Sequence, residues 1–290
     1  MPKKSFRFEL YSVHGHLESG TPDYVKLFGA MTNLKGYHTQ EGKRHIAIGT
    51  ASFVNEQFFL TAYTGPSEKS LLFFDVAQKT ELTESMLPGR FPARKTYAMI
   101  DARKRFLLID SRRGSLHALD LAALFEEHAH EVLPDYKTLE LVFNPVADVE
   151  FIKRLDALER IQAATITVAR PNVDWTDRHN ELTHVADESN AKALDVTARA
   201  RRGQSLSRDA GLVQFIKQFA ASARSMFEKI KVVGATSEDS GLITLNLSKY
   251  VEHVNVLMNT DPITNLPNDN DVRGILAGYL DAKPAEPEEK

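Results

Sequence analysis

The side chains best placed to act on a partner are two sets of cations. Arg103, Lys104 and Arg105 lie between two apolar runs, where the pattern predicts a hairpin tip, and Arg112 and Arg113 follow the second run. Arg199, Arg201 and Arg202 close a helix predicted over Asp187–Arg202, and Arg208 stands in the Ser/Gln/Gly loop beyond it. Lys217 and Arg224, seven residues apart, share the polar face of the next predicted helix. The chain as a whole is slightly acidic, with a formal net charge of −3, yet the charge is segregated. Residues 90–113 hold eight basic and two acidic side chains, and 189–231 hold nine and three. Between them, 114–188 hold six basic and fifteen acidic ones. Cations gathered this way neutralise phosphates, and Ser205 and Ser207 add hydroxyl donors. Arginines at a helix end also complement its dipole, but one suffices for that. No recognition-helix motif is visible, so the chemistry expected is backbone binding without base readout.

Other chemistries find less support. The chain has no cysteine, which removes disulfides, thiolate nucleophiles and Cys-ligated metals. His14-Gly-His16 and His128-Ala-His130 place imidazoles two apart, but no His-Glu-x-x-His occurs, and His179 with His184 has the wrong helical offset. Pro134-Asp135 followed by Glu140 has the order of a nuclease motif, but Val142 stands where its lysine belongs. There is no Gly-x-Ser-x-Gly elbow and no Gly-rich phosphate loop. Trp175 is the single tryptophan; it could stack on a base, but it reads better as a core or interface anchor. No catalytic residue, metal or cofactor is therefore expected.

The elements that must position these cations follow from periodicity. Strands are predicted at Ser5–Val13, His45–Val54, Gln57–Tyr63, Ser70–Val76, Lys95–Ile100, Phe106–Asp110, Thr138–Phe143, Ile161–Ala169, Lys229–Val233 and within Leu242–Met258. Helices are predicted from Thr21-Pro22-Asp23 onward, then at Ser115–Ala129, Asp148–Leu158, Asp187–Arg202, Leu206–Phe227 and Asp271–Leu280. Without a strand–helix repeat, this order implies an α+β fold of mostly antiparallel sheet with interleaved helices. Two subdomains are expected, 1–134 and 135–282, followed by a disordered acidic tail at 283–290. Composition, 42% hydrophobic with mean hydropathy −0.30, suits a globular protein, and no apolar run reaches membrane-spanning length. With no secretory leader visible, the cytoplasm is the expected compartment.

Read in order, seven stretches resemble the RexA family of phage-exclusion proteins. They are Gly42–Gly49 with Phe58–Thr61, Phe91–Tyr97, Gly114–Leu121, Leu139–Pro145, Ile161–Val168 and Ser237–Ser248. The resemblance lies in apolar pattern and spacing. It implies a cytoplasmic, homodimeric, DNA-binding component of an antiphage system that acts with a membrane-protein partner, and it carries over no catalytic residues. The expected function is therefore sequence-tolerant binding of double-stranded DNA. A metal-dependent nuclease and a protein-interaction adaptor docking through the acidic 114–188 segment are the alternatives.

Overall fold

The computed structural model describes residues 2–68, 70–75, 77, 79–169, 189, 193–220, 227–237 and 239–284. The alternation read near the N-terminus extends into a long strand, β1 (Lys3–His16), which organises the larger sheet. One edge of β1 pairs with β14 (His253–Asn259) along Lys3–Glu9 and with β9 (Glu140–Pro145) along Tyr11–His16. Its other edge pairs with β8 (Phe106–Asp110). From β8 the sheet continues through β7 (Arg94–Asp101), β4 (Gln57–Pro66), β3 (Arg44–Val54) and β2 (His38–Glu41), antiparallel at every step. Asn55 and Glu56, with φ of 52° and 60°, make the two-residue turn between β3 and β4. Positive φ at both positions gives the turn a twist that matches the flanking strands.

Both faces of this sheet are buried. On one, α1 (Tyr24–Ala30) and α2 (Ala118–Val132) bring Leu27, Phe28, Leu121 and Phe125 against Phe58, Ile100 and Leu107. Asp23 caps α1, its Oδ1 accepting the Lys26 N–H at 3.0 Å. On the other face, α5 (Asp269–Asp281) sets Val272, Leu276 and Leu280 against Phe6, Phe8, Tyr97 and Leu108.

A smaller antiparallel sheet has the order β11 (Ala193–Arg199), β10 (Arg160–Ala169), β12 (Phe227–Ala235), β13 (Ile243–Asn246). Helices α3 (Val149–Asp156) and α4 (Gly211–Ala220) cover one face, packing Phe151, Leu155, Val213 and Ile216 on Ala164, Ile166, Ile230 and Val232. The opposite face presents Thr165, Thr197, Arg199 and Lys231 at partial or full exposure. Strands β5 (Ser70–Asp75) and β6 (Thr80–Ser85) form a separate hairpin.

The fold is α+β with mostly antiparallel sheet and interleaved helices, as composition and periodicity implied. Several boundaries differ. A division at 134–135 would cut β9, β14 and α5 away from the sheet they complete; the smaller sheet is instead inserted between β9 and β14. The predicted helix over Asp187–Arg202 is replaced, across Ala193–Arg199, by β11. Its alanines favour helix, but Leu194, Val196 and Ala198 alternate with exposed Asp195, Thr197 and Arg199, and pairing with β10 satisfies that period of two. The helix expected at Leu206–Phe227 spans Gly211–Ala220, and Phe227 begins β12. Strands β2 and β6 were not anticipated. Of the expected tail, Lys283 is anchored by an ion pair to Glu252, and 285–290 lie outside the described residues.

Candidate functional site

The two basic segments meet different fates. In the first, Lys104 Nζ donates to the carbonyl oxygens of Leu280, Asp281 and Lys283 at 3.0, 2.7 and 2.8 Å. A cation on the C-terminal carbonyls of α5 meets both their hydrogen-bonding need and the negative end of the helix dipole. Arg103 pairs with Glu56. The Arg105 guanidinium lies over the Tyr24 ring, 5.6 Å from its centroid. Arg112 grips the Asp110 carboxylate, with Nε 2.8 and 3.0 Å from its two oxygens, and lies 4.1 Å from the Phe6 ring centre. The Asp110 side chain is fully buried, so this guanidinium is its compensating charge. The hairpin-tip cations thus hold the larger sheet together. Arg113 stands apart and lines a hollow beside the start of α2.

The second segment builds a cleft. Arg199 lies opposite Ala163, Thr165 lies between Thr197 and Lys231, and Val233 also pairs with Ala163. The pairing of β10 with β12 slips between Ile161 and Ala163, leaving Gln162 as the extra residue of a bulge. This changes the side-chain phase. Arg160 and Gln162 before it, and Ala163 and Thr165 after it, all line one concavity, while Ile161, Ala164 and Ile166 turn to the core. Gly234 stands where an added Cβ would lie 2.6 Å from the Arg160 carbonyl oxygen, so only glycine permits this close approach.

The turn after β11 supplies the rest. Ala200 N–H donates to the Gln162 carbonyl at 2.8 Å and Leu206 N–H to that of Ile161 at 2.8 Å. Ser205 Oγ accepts the Ile161 N–H at 2.9 Å, so this hydroxyl fastens the turn instead of offering itself to a ligand. Gly203, at φ 77°, takes the left-handed conformation that closes the turn. The result is a cavity of about 560 Å³ lined by Arg160, Arg199, Arg201, Arg202 and Lys231, with Thr165, Thr197, Gln162 and Gln204 among them. Among the described residues, no carboxylate and no aromatic ring contributes to its lining. Arg160 Nε is buried without a hydrogen-bond partner among the described residues. Two strand spacings separate Lys231 from the β11 side chains, so the cations span roughly 10 Å.

Arg199, Arg201 and Arg202 come together as expected, though on a strand end and turn instead of a helix end. Arg208 lies outside the lining. Lys217 is withdrawn, with Nζ 2.7 Å from Asp156 of α3. Arg224, like Trp175, His179 and His184, lies outside the described residues. Sequence reasoning did not single out Lys231, and it counted Arg160 within the acidic segment. The spacing of β10 and β12 could have placed both on one sheet, but not on one face, because the bulge sets that.

Among the histidines, His38 Nε2 lies 3.0 Å from His45 Nδ1. His14 Nε2 is 3.0 Å from Ser12 Oγ, and His130 Nε2 is 3.0 Å from the Leu139 carbonyl oxygen. Among the described residues no three His, Asp or Glu side chains form a set that could hold a metal. Asp135 of the nuclease-like run pairs with Lys26 at 3.0 Å. No helix among the described residues is long and apolar enough to cross a membrane. No curated protein matches the chain. Residues 4–226 match the model of DUF4747, a domain of unknown function, and the chain belongs to that family.

Proposed function

We propose that this protein binds the phosphate backbone of double-stranded DNA, without reading its sequence, through the cleft on the open face of the smaller sheet. The observation that carries this reading is the lining itself, in which five cations meet no carboxylate. Like charges held this close repel one another, and a polyanion relieves that repulsion while releasing its own counterions. The hydroxyl and amide groups between the cations suit phosphate oxygens. A platform for unpaired bases would need aromatic rings, and among the described residues the cleft lining has none.

The resemblance to phage-exclusion proteins supplies the wider setting of the proposal: a cytoplasmic homodimer acting in antiphage defence beside a membrane-protein partner. Two copies on one duplex would raise avidity without a new contact.

Titration of duplex DNA across a salt series tests the reading. With all five cations engaged, log K falls by about 4.5 per tenfold rise in salt, at roughly 0.9 per neutralised phosphate. Duplexes of unrelated sequence should bind alike. A flat salt dependence, or a preference for one sequence, contradicts the proposal.

A further inference from the structure

We propose that a second anion site lies on the larger sheet, in the hollow where α2 begins, and that it takes a free small molecule carrying a pyrophosphate or longer phosphate chain. The hollow has a volume of about 690 Å³, within the range of roughly 300–1,000 Å³ usual for small-ligand sites. Lys43, Arg94 and Arg113 line it, all exposed and none with a carboxylate in ion-pair reach among the described residues. Its one further arginine, Arg44, is already committed, to Asp120 at 2.6 Å and to the Ser115 carbonyl at 3.0 Å. Three permanent charges on one hollow outnumber what a single carboxylate would balance.

The walls are built in advance. Thr64 Oγ1 donates to the Gly114 carbonyl at 2.7 Å, and Leu116 N–H donates to Thr96 Oγ1 at 2.8 Å. These bonds hold the Arg112–His117 loop on the ends of β4 and β7. Gly65 comes so close to Pro92 that an added Cβ would sit 1.7 Å from its carbonyl oxygen. The loop leads directly into α2, whose N-cap, His117, makes no side-chain cap bond, while the acid of its first turn, Asp120, is held by Arg44. Three cations around one open hollow, next to the start of a helix, suit adjacent phosphates on one molecule.

Calorimetric titration of the whole protein at low salt, without divalent cations, tests this, with pyrophosphate and then ATP as the probes. One equivalent should bind the parent and, with affinity unchanged within twofold, the Arg201→Glu/Arg202→Glu variant. Lys43→Glu/Arg113→Glu should weaken binding at least tenfold, and Arg94→Gln alone severalfold. If circular dichroism shows the double variant unfolded, Arg94→Gln carries the comparison. No binding of either probe at millimolar concentration overturns the proposal. So does binding that survives Lys43→Glu/Arg113→Glu but is lost in Arg201→Glu/Arg202→Glu, which would assign the anion to the cleft. If pyrophosphate fails to bind while Lys43→Glu/Arg113→Glu weakens duplex binding as much as the cleft variant does, the hollow is part of the DNA surface and the proposal fails.

Discussion

Two stretches of this chain carry the same excess charge and do opposite things with it. Over 90–113 and over 189–231 the formal balance is +6 in each case. In the first, Arg103, Lys104 and Arg112 are absorbed into the fold by Glu56, by the carbonyl end of α5 some 176 residues away and by Asp110, while Arg94 and Arg113 stay exposed. The second keeps Arg199, Arg201, Arg202 and Lys231 around one cleft with no acid in its lining among the described residues, and gains Arg160 from the most acidic segment. Local charge counts therefore misjudge surface potential in both directions. The partners that cancel a charge, like the neighbours that reinforce it, come from pairing between distant strands.

The comparison can be broken at several points. The largest effect on stability is expected for Arg112→Ala. It leaves the buried Asp110 carboxylate without its counter-charge, a change that costs about 3–5 kcal/mol. Chemical denaturation should show this as a lower midpoint with an unchanged slope. If Arg112→Ala instead weakens duplex binding while the midpoint holds, the division between structural and binding cations is wrong.

Next comes Arg201→Glu/Arg202→Glu. Both side chains are exposed, so stability should stay within about 0.5 kcal/mol of the parent. Duplex affinity should fall at least roughly tenfold for every sequence, and the salt slope should shrink by about 2. Wild-type binding by a folded variant would falsify the assignment of the cleft.

Lys104→Met sharpens the contrast from the other side. It removes three donors from the end of α5, each worth about 1 kcal/mol at most after solvent exchange, so a loss of roughly 1–3 kcal/mol is expected. Hydrogen exchange should report earlier opening of α5, with duplex affinity unaltered. A fall in affinity would return the hairpin tip to the binding surface.

The smallest effect concerns pH and lies far from both cation sets. His128 on α2 is 8% exposed, lies beside the Tyr37 ring, and neither ring nitrogen has a hydrogen-bond partner among the described residues. Burial holds its pKa below the ordinary 6.5, with Glu131 opposing weakly. The unfolded chain therefore takes up the proton first as pH falls. This residue's share of stability is fully present above about pH 6.5 and is lost progressively down to its folded pKa. His128→Leu should flatten that part of the stability–pH curve relative to the parent; an unchanged slope would mean the imidazole is solvated.

The sequence by itself determined the elements wherever periodicity and local chemistry agree. The alternation of β1, the Asp23 cap, the Asn55-Glu56 turn and the apolar stripe of α2 are short-range facts, and each element formed there, with β1 longer at both ends and α2 shifted by three residues. It also marked Arg199, Arg201 and Arg202 as an excess of charge. Tertiary structure decided what that charge is for. Leu194, Val196 and Ala198 sit in a stretch whose composition suits a helix, and only the edge of β10 makes them a strand. The bulge at Gln162 turns Arg160 toward the same concavity, through a register that depends on β12 some seventy residues on. Lys104 and Arg112 look as available as Arg201 until α5 and Asp110 are in place. A side chain's type and its near neighbours are written in the chain, but which charges remain uncompensated depends on contacts between residues far apart in it. Those contacts exist only once the two sheets have closed.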